Sequence, residues 1–118
     1  MSKQRPILPN LVVSGTTEIE TFQNTTLRPI IKMQHDILLK IFNEYLEKKK
    51  IDIVTISKEK RNEKIANILQ KDQLFKKLII GCVVGHFSKE ELSSYFKNEN
   101  EFNKRIIGII TKRFQDSI

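Results

Sequence analysis

The sequence predicts an all-α protein: a single compact bundle of five or six helices with an extended N-terminal arm. Three observations lead to this fold class. Apolar residues recur at helical spacing through most of the chain. A Ser, Thr, Asp or Asn stands before each predicted helix, as helix N-caps require. Only 4 Gly and 3 Pro occur among the 118 residues, too few for a loop-rich chain. We expect residues 1–16 to form the arm and residues 17–118 to form one helical domain.

The arm is apolar, but its two prolines prevent it from being helical throughout. Its apolar side chains are Ile7, Leu8, Leu11, Val12 and Val13. Left in water they would promote aggregation. We therefore expect them to cover the domain or a second copy of the chain, as candidate interaction residues. The patch is too short and interrupted for a signal peptide, which predicts a cytoplasmic protein.

The first helix is predicted to begin after Thr17, because Glu20 three residues later completes a capping-box pattern. Pro29 disfavours a helical conformation at Arg28, so we expect a break or a sharp kink near Pro29. Length supports this expectation. A straight helix over 17–49 would measure about 50 Å, whereas a domain of this size has a radius of gyration of about 13–14 Å.

The next helix, over roughly 27–49, is predicted to be the central one. Its apolar residues fill about two-thirds of the circumference, whereas a surface helix shows an apolar stripe nearer one-third. We therefore expect other helices to cover it on several sides. Residues 51–56 are rich in β-branched side chains and are predicted to form an extended connector.

Further helices are predicted over roughly 58–70, 73–87, 89–97 and 99–115, capped by Ser57, Asp72, Ser88 and Asn98. Ser88 and Glu91 form a second capping-box pattern. The segment 78–87 is apolar all round. Its β-branched residues leave a strand open as the alternative for 78–84, although the Asp cap and the length favour a helix.

Gly81 and Gly85 lie four residues apart inside the predicted helix 73–87. A glycine inside a helix costs about 1 kcal/mol relative to alanine. The close approach of another helix backbone would explain that cost. We therefore expect both glycines to face a neighbouring helix at close range.

The net charge is +7, from 21 basic and 14 acidic residues. Nucleic acid and acidic proteins are therefore candidate partners. The helical spacing predicts two basic stripes, formed by Lys60, Lys64 and Lys71 and by Lys104, Arg105 and Lys112. However, there are 16 Lys and only 5 Arg, whereas base-specific readers rely on arginine. Lys, Ile and Asn are also the residues that AT-rich coding sequences supply, so much of the excess has a genomic explanation.

Four polar or nucleophilic residues fall in apolar helical surroundings: Gln34, His35, Cys82 and His86. Cys82 and His86 share a helix face and, with His35, would in principle form a metal site or a thiol–imidazole dyad. The simpler interpretation is that Cys82 packs as a small hydrophobe and that the polar side chains are hydrogen-bonded inside the domain. We predict no cofactor, no metal and no enzymatic activity.

The segments FQNTTLRPIIKMQHDILLKIF (22–42), GCVVGHFSKEEL (81–92) and NKRI (103–106) resemble a group of short uncharacterised bacterial proteins, some of them labelled glyoxalase. A glyoxalase-type site resembles a paired βαβββ metal cradle with His and Glu ligands on strands. The helical pattern and the two histidines of this chain do not support that label. The resemblance implies no catalytic residues.

The sequence thus favours a small helical module that acts through protein–protein contact, as a homodimer or with another protein. The alternative function is nucleic-acid binding through the basic stripes. A third hypothesis is a metal or thiol enzyme centred on Cys82, His86 and His35. No segment is long and apolar enough to predict a membrane partner.

Overall fold

The computed structural model describes residues 17–118, which fold into helices with no strand among them. The elements are α1 (Glu18–Phe22), a π-helical turn (Gln23–Leu27), α2 (Arg28–Met33), α3 (His35–Lys48), α4 (Lys58–Lys71), α5 (Gln73–Val84), α6 (Lys89–Lys97) and α7 (Glu99–Ser117). Because α1, the π-turn and α2 are continuous, the bundle has six helices. The all-α prediction is confirmed, and residues 78–84 belong to a helix. The predicted arm lies outside the described residues.

The expected break near Pro29 is displaced to Gln34. Arg28 is helical, and its N–H donates to the carbonyl of Gln23 five residues earlier, which is the π-helical pattern. Proline lacks an N–H and its ring crowds the preceding turn, so the wider π-turn accommodates Pro29 without ending the helix. The helix ends one turn later, where Gln34 adopts φ −94° and ψ 6°, between α2 and α3.

The predicted caps account for most helix starts. The side chains of Thr17, Ser57, Asp72 and Ser88 each accept a hydrogen bond from a main-chain N–H in the first turn of their helix. Ser88 and Glu91 form a complete capping box. Asn98 stands at the N-cap of α7 as predicted, but its side chain makes no capping hydrogen bond.

One hydrophobic core holds the described helices together. Its fully buried side chains include Leu27, Ile30, Ile31, Leu38, Phe42, Ile65, Leu69, Ile79, Ile106, Ile107, Ile110 and Phe114. Phe42 lies at the aromatic centre, 4.6 Å from Phe114 and 5.9 Å from Phe75 between ring centroids. The helix predicted to be central therefore supplies much of the core. The other helices do not cover this helix completely, since Ile37 remains 44% exposed.

The helices α4 and α7 pack against each other, and α4 also holds the connector 51–56 in place. The Arg61 guanidinium on α4 donates to main-chain oxygens of Ile53, Ile118 and Ile56, at 2.7, 3.2 and 3.4 Å. Ile53 itself is buried in the core. One side chain thus joins the connector and the end of α7 to α4.

Candidate functional site

The helices α3 and α5 run antiparallel and are joined by a polar contact at each end. Near the end of α3, the Tyr45 hydroxyl donates to the carboxylate of Asp72, which caps α5, at 2.6 Å. At the start of α3, the Gln34 side chain forms a hydrogen bond with the His86 ring, just beyond the end of α5. These two contacts define the antiparallel arrangement of α3 and α5.

Between the two contacts lies a mainly apolar groove of about 460 Å³, called here the α3–α5 groove. It is lined by Lys40, Ile41, Glu44, Tyr45, Lys48, Phe75 and Leu78. Leu78 is 53% exposed, and Ile37, one turn before Ile41 on α3, is 44% exposed. Apolar side chains that remain this exposed on two neighbouring helices are typical of an interaction surface.

The apolar surface continues from this groove onto the outer face of α5. Leu74 is 84% exposed, and Leu78, Gly81 and Gly85 follow it on the same side of the helix. We call these four residues the α5 face. The segment 78–87, which is apolar all round in sequence, is thus partly open to solvent, because other helices bury the side that carries Ile79 and Val83.

The predicted packing of Gly81 and Gly85 against a neighbouring helix is wrong for the described chain. Both glycines are exposed. A Cβ added at Gly81 would meet nothing within 4 Å, and one at Gly85 would meet only the Gly81 carbonyl oxygen of the same helix, at 3.1 Å. Gly81 lies inside α5, where a glycine reduces helix stability, whereas Gly85 is the C-cap residue just beyond Val84. The described chain contains no packing contact that would explain Gly81.

Tyr45 and Asp72 alter each other's acidity. Burial, followed by the hydrogen bond to Asp72 and the charge of its carboxylate, raises the pKa of Tyr45 to about 12. The pKa of Asp72 is lowered, first by the hydrogen bond from Tyr45 and then by that from the Phe75 N–H. The pair therefore favours a neutral phenol and an ionised carboxylate.

We expect Tyr45 to ionise at about pH 12 when it is the single tyrosine, in a Tyr95→Phe variant. A raised pKa contributes stability that is fully present below the unfolded value near 10 and is lost as the pH rises through the folded value. Tyrosinate absorbance, with circular dichroism to confirm folding, measures this midpoint. Adding Asp72→Asn removes the carboxylate charge and should lower this ionisation midpoint. A midpoint near 10 in the folded protein would contradict the assignment.

Gln34 and His35 each have a hydrogen-bond partner inside the domain, as predicted. Gln34 is buried and bonds to His86. Arg113 Nε donates to His35 Nδ1 at 3.2 Å, and Ser117 Oγ lies 3.4 Å from His35 Nε2. Because arginine only donates, Nδ1 is the acceptor in this arrangement. His35 therefore connects α3 to α7.

Replacing His35 with leucine should destabilise the fold only mildly. The side chain is partly exposed, so Arg113 can donate to water once its acceptor is lost. A typical hydrogen bond contributes about 0.5–1.5 kcal/mol net, and we expect a loss within that range. Urea denaturation measures it. A stoichiometric metal in the parent that disappears in this variant would contradict a structural role for His35.

The three residues of the proposed metal or thiol site do not come together. His35 bonds to Arg113 on α7, whereas His86 bonds to Gln34. Within residues 17–118, no three His, Cys, Asp or Glu side chains are grouped so as to share a metal ion. Cys82 is half-buried, and burial raises the pKa of its thiol, which disfavours the nucleophilic thiolate.

The two predicted basic stripes lie on different helices, α4 and α7, and their residues have different surroundings. Lys64 donates to the Asp52 carbonyl at 3.1 Å. Arg105 bonds to Glu101 and Gln23, and Lys112 pairs with Asp116. Lys60 and Lys71 are exposed on α4. Of these six residues, only Lys104 lines a groove that other lysines also line.

That groove, called here the basic groove, has a volume of about 270 Å³ and includes residues of α4, α5 and α7. It is lined by Gln70, Gln73, Lys76, Lys77, Ile80, Asn100, Asn103, Lys104 and Ile107. Three lysines thus converge on a groove whose lining has no carboxylate. Sequence spacing along single helices missed Lys76 and Lys77, because their relation to Lys104 depends on the packing of α5 against α7.

No protein-family model matches this sequence, and no curated protein or solved structure is similar enough to count as a match. The resemblance to uncharacterised bacterial proteins therefore stays a prediction. No helix within residues 17–118 is long and apolar enough to cross a membrane.

Proposed function

We propose that this protein is a protein-interaction module that binds its partner through the α3–α5 groove and the adjoining α5 face. The observation that carries the proposal is the exposure of apolar side chains along both helices, with Leu74 at 84% and Leu78 at 53%. A monomer gains nothing from keeping such side chains in water, whereas a partner that covers them gains the free energy of apolar burial.

The titratable side chains near the groove also favour binding over catalysis. The raised pKa of Tyr45 keeps it a neutral phenol, the lowered pKa of Asp72 makes its carboxylate a weak base, and burial raises the pKa of the Cys82 thiol. We infer a non-enzymatic role in the cytoplasm that requires no cofactor. The arm residues Ile7 to Val13 remain a predicted second part of the interaction surface, outside the described residues.

Site-specific photocrosslinking tests the proposal. A benzophenone amino acid at position 78, introduced in living cells, should form discrete covalent adducts with another polypeptide chain. The same amino acid at Val54, which is 79% exposed in the connector outside both helices, is the matched control. We expect adducts from position 78 and none from position 54. Equal labelling at both positions, or none at either, would contradict a binding surface on α3 and α5.

The basic groove supports a second candidate function, the binding of single-stranded nucleic acid. Lys76, Lys77 and Lys104 would contact phosphates, and the carboxamides around them would donate to phosphate or base edges. We expect binding to weaken with salt at a log–log slope of up to about −2, as three phosphate contacts with a single strand imply. A Lys76→Glu and Lys104→Glu variant should lose this binding, whereas Lys60→Glu should retain it. Parent protein that does not bind DNA or RNA at low salt removes this candidate.

A further inference from the structure

We propose that the partner of the α5 face is a second copy of this chain, bound so that the two α5 helices pack antiparallel about a two-fold axis. This inference rests on the proposed function and names the occupant of the same surface. It starts from the order of the residues along the α5 face, where two leucines are followed by two glycines. One helix thus carries both protruding and recessed positions.

The spacing of these residues makes the face complementary to itself. The midpoint between Ile79 and Ile80 is equally distant from Leu78 and Gly81, and also from Leu74 and Gly85. A two-fold axis at this midpoint places Leu78 over Gly81 of the second copy, and Leu74 over Gly85 of the second copy. A parallel arrangement would instead place leucine against leucine and leave the glycines facing each other.

The glycines have the space that this arrangement needs. No side chain or backbone of another described helix lies within 4 Å of a Cβ placed at Gly81, and the Cβ position at Gly85 contacts only the carbonyl of Gly81. A leucine side chain from a second copy can therefore rest on the α5 backbone. Gly81, an interior glycine that no packing within the described chain explains, acquires a role at this interface.

The charges beside the α5 face are compatible with the same register. Lys77 lies opposite Cys82 of the second copy, so the lysines of the two copies are not directly opposed.

The α5 face alone is too small for a stable interface, so the interface must include neighbouring surface. A standard stable interface buries about 800 Å² on each partner. The helix α5 spans Gln73–Val84, or about 18 Å at 1.5 Å per residue, and its face alone is smaller than that. The α3–α5 groove continues from Leu78 to Ile41 and, with Ile37 nearby, extends the apolar surface. The proposed dimer therefore covers both.

An exchange of leucine and glycine in the full-length chain tests the register. Leu78→Gly should weaken dimerisation by about tenfold or more, as expected for a central contact. Gly81→Leu should weaken dimerisation to a similar extent, because the new leucine of one copy would occupy the space taken by Leu78 of the other. The double variant, which carries both substitutions, exchanges the protruding and recessed positions. Its dissociation constant should therefore lie within about threefold of that of the parent. Val54→Gly, at an exposed site outside α5, is the control and should leave the dimer unchanged.

Analytical ultracentrifugation over micromolar to high-micromolar concentrations measures these dissociation constants, and circular dichroism verifies that each variant is folded. A parent that remains monomeric throughout, or a dimer unaffected by either single variant, would overturn the inference. A double variant as weak as the single ones would overturn the register. If the parent is monomeric but position 78 still crosslinks to a different protein, the proposed function survives and only the choice of partner is wrong.

Discussion

Replacing Phe42 with alanine should lower the free energy of unfolding by about 3–5 kcal/mol, the largest effect that we expect from a single substitution. Phe42 has no exposed surface. Its ring stacks on Phe114 with centroids 4.6 Å apart, and it also contacts Phe75 and Tyr45. Truncation removes these contacts and leaves a cavity between α3, α5 and α7. Since small domains are stable by only about 5–15 kcal/mol, the variant should be close to unfolding at ambient temperature.

Phe96→Ala is the matched control for this prediction, because Phe96 is a phenylalanine that is 63% exposed. The same chemical change should there alter the free energy of unfolding by no more than about 0.5 kcal/mol. Urea denaturation followed by circular dichroism gives both values. If Phe42→Ala were no more destabilising than Phe96→Ala, the aromatic cluster would not be the centre of the core.

Helix starts were predictable from the sequence because they depend on local chemistry. Ser57, Asp72 and Ser88 each bond to a main-chain N–H a few residues away, and these interactions need no tertiary structure. The response of the chain to Pro29 was not predictable in the same way. Either a break or a π-turn accommodates a residue that lacks an N–H donor. Which of the two forms depends on how the buried Ile30 and Ile31 pack after the proline.

The candidate site was predictable only in part, for a related reason. Helical periodicity places Leu74, Leu78 and the two glycines on one face, but it does not say how many neighbours a small bundle has available to cover that face. The sequence indicated that the glycines require a close neighbour, and the described chain does not contain one. The Tyr45–Asp72 contact joins residues 27 positions apart and follows from the antiparallel packing of α3 and α5.

The Arg61→Ala substitution should lower the free energy of unfolding by about 2–4 kcal/mol. Hydrogen bonds to charged groups contribute about 1.5–3 kcal/mol, and the three made by one guanidinium are not additive. The substitution leaves the carbonyls of Ile53 and Ile56 without this donor, next to a core residue of the connector. Local opening of residues 51–56 should therefore accompany the global loss, and hydrogen exchange of their amides should accelerate.

Arg61→Lys separates the role of charge from that of geometry. Lysine keeps the positive charge, but its single ammonium group cannot reach three carbonyls that the planar guanidinium contacts in three directions. We therefore expect the lysine variant to be intermediate in stability and to show nearly the same acceleration of hydrogen exchange over 51–56 as the alanine variant. Full recovery of stability and exchange protection by lysine would mean that charge alone matters. Unchanged stability in Arg61→Ala would show that the connector is held by the burial of Ile53 rather than by Arg61.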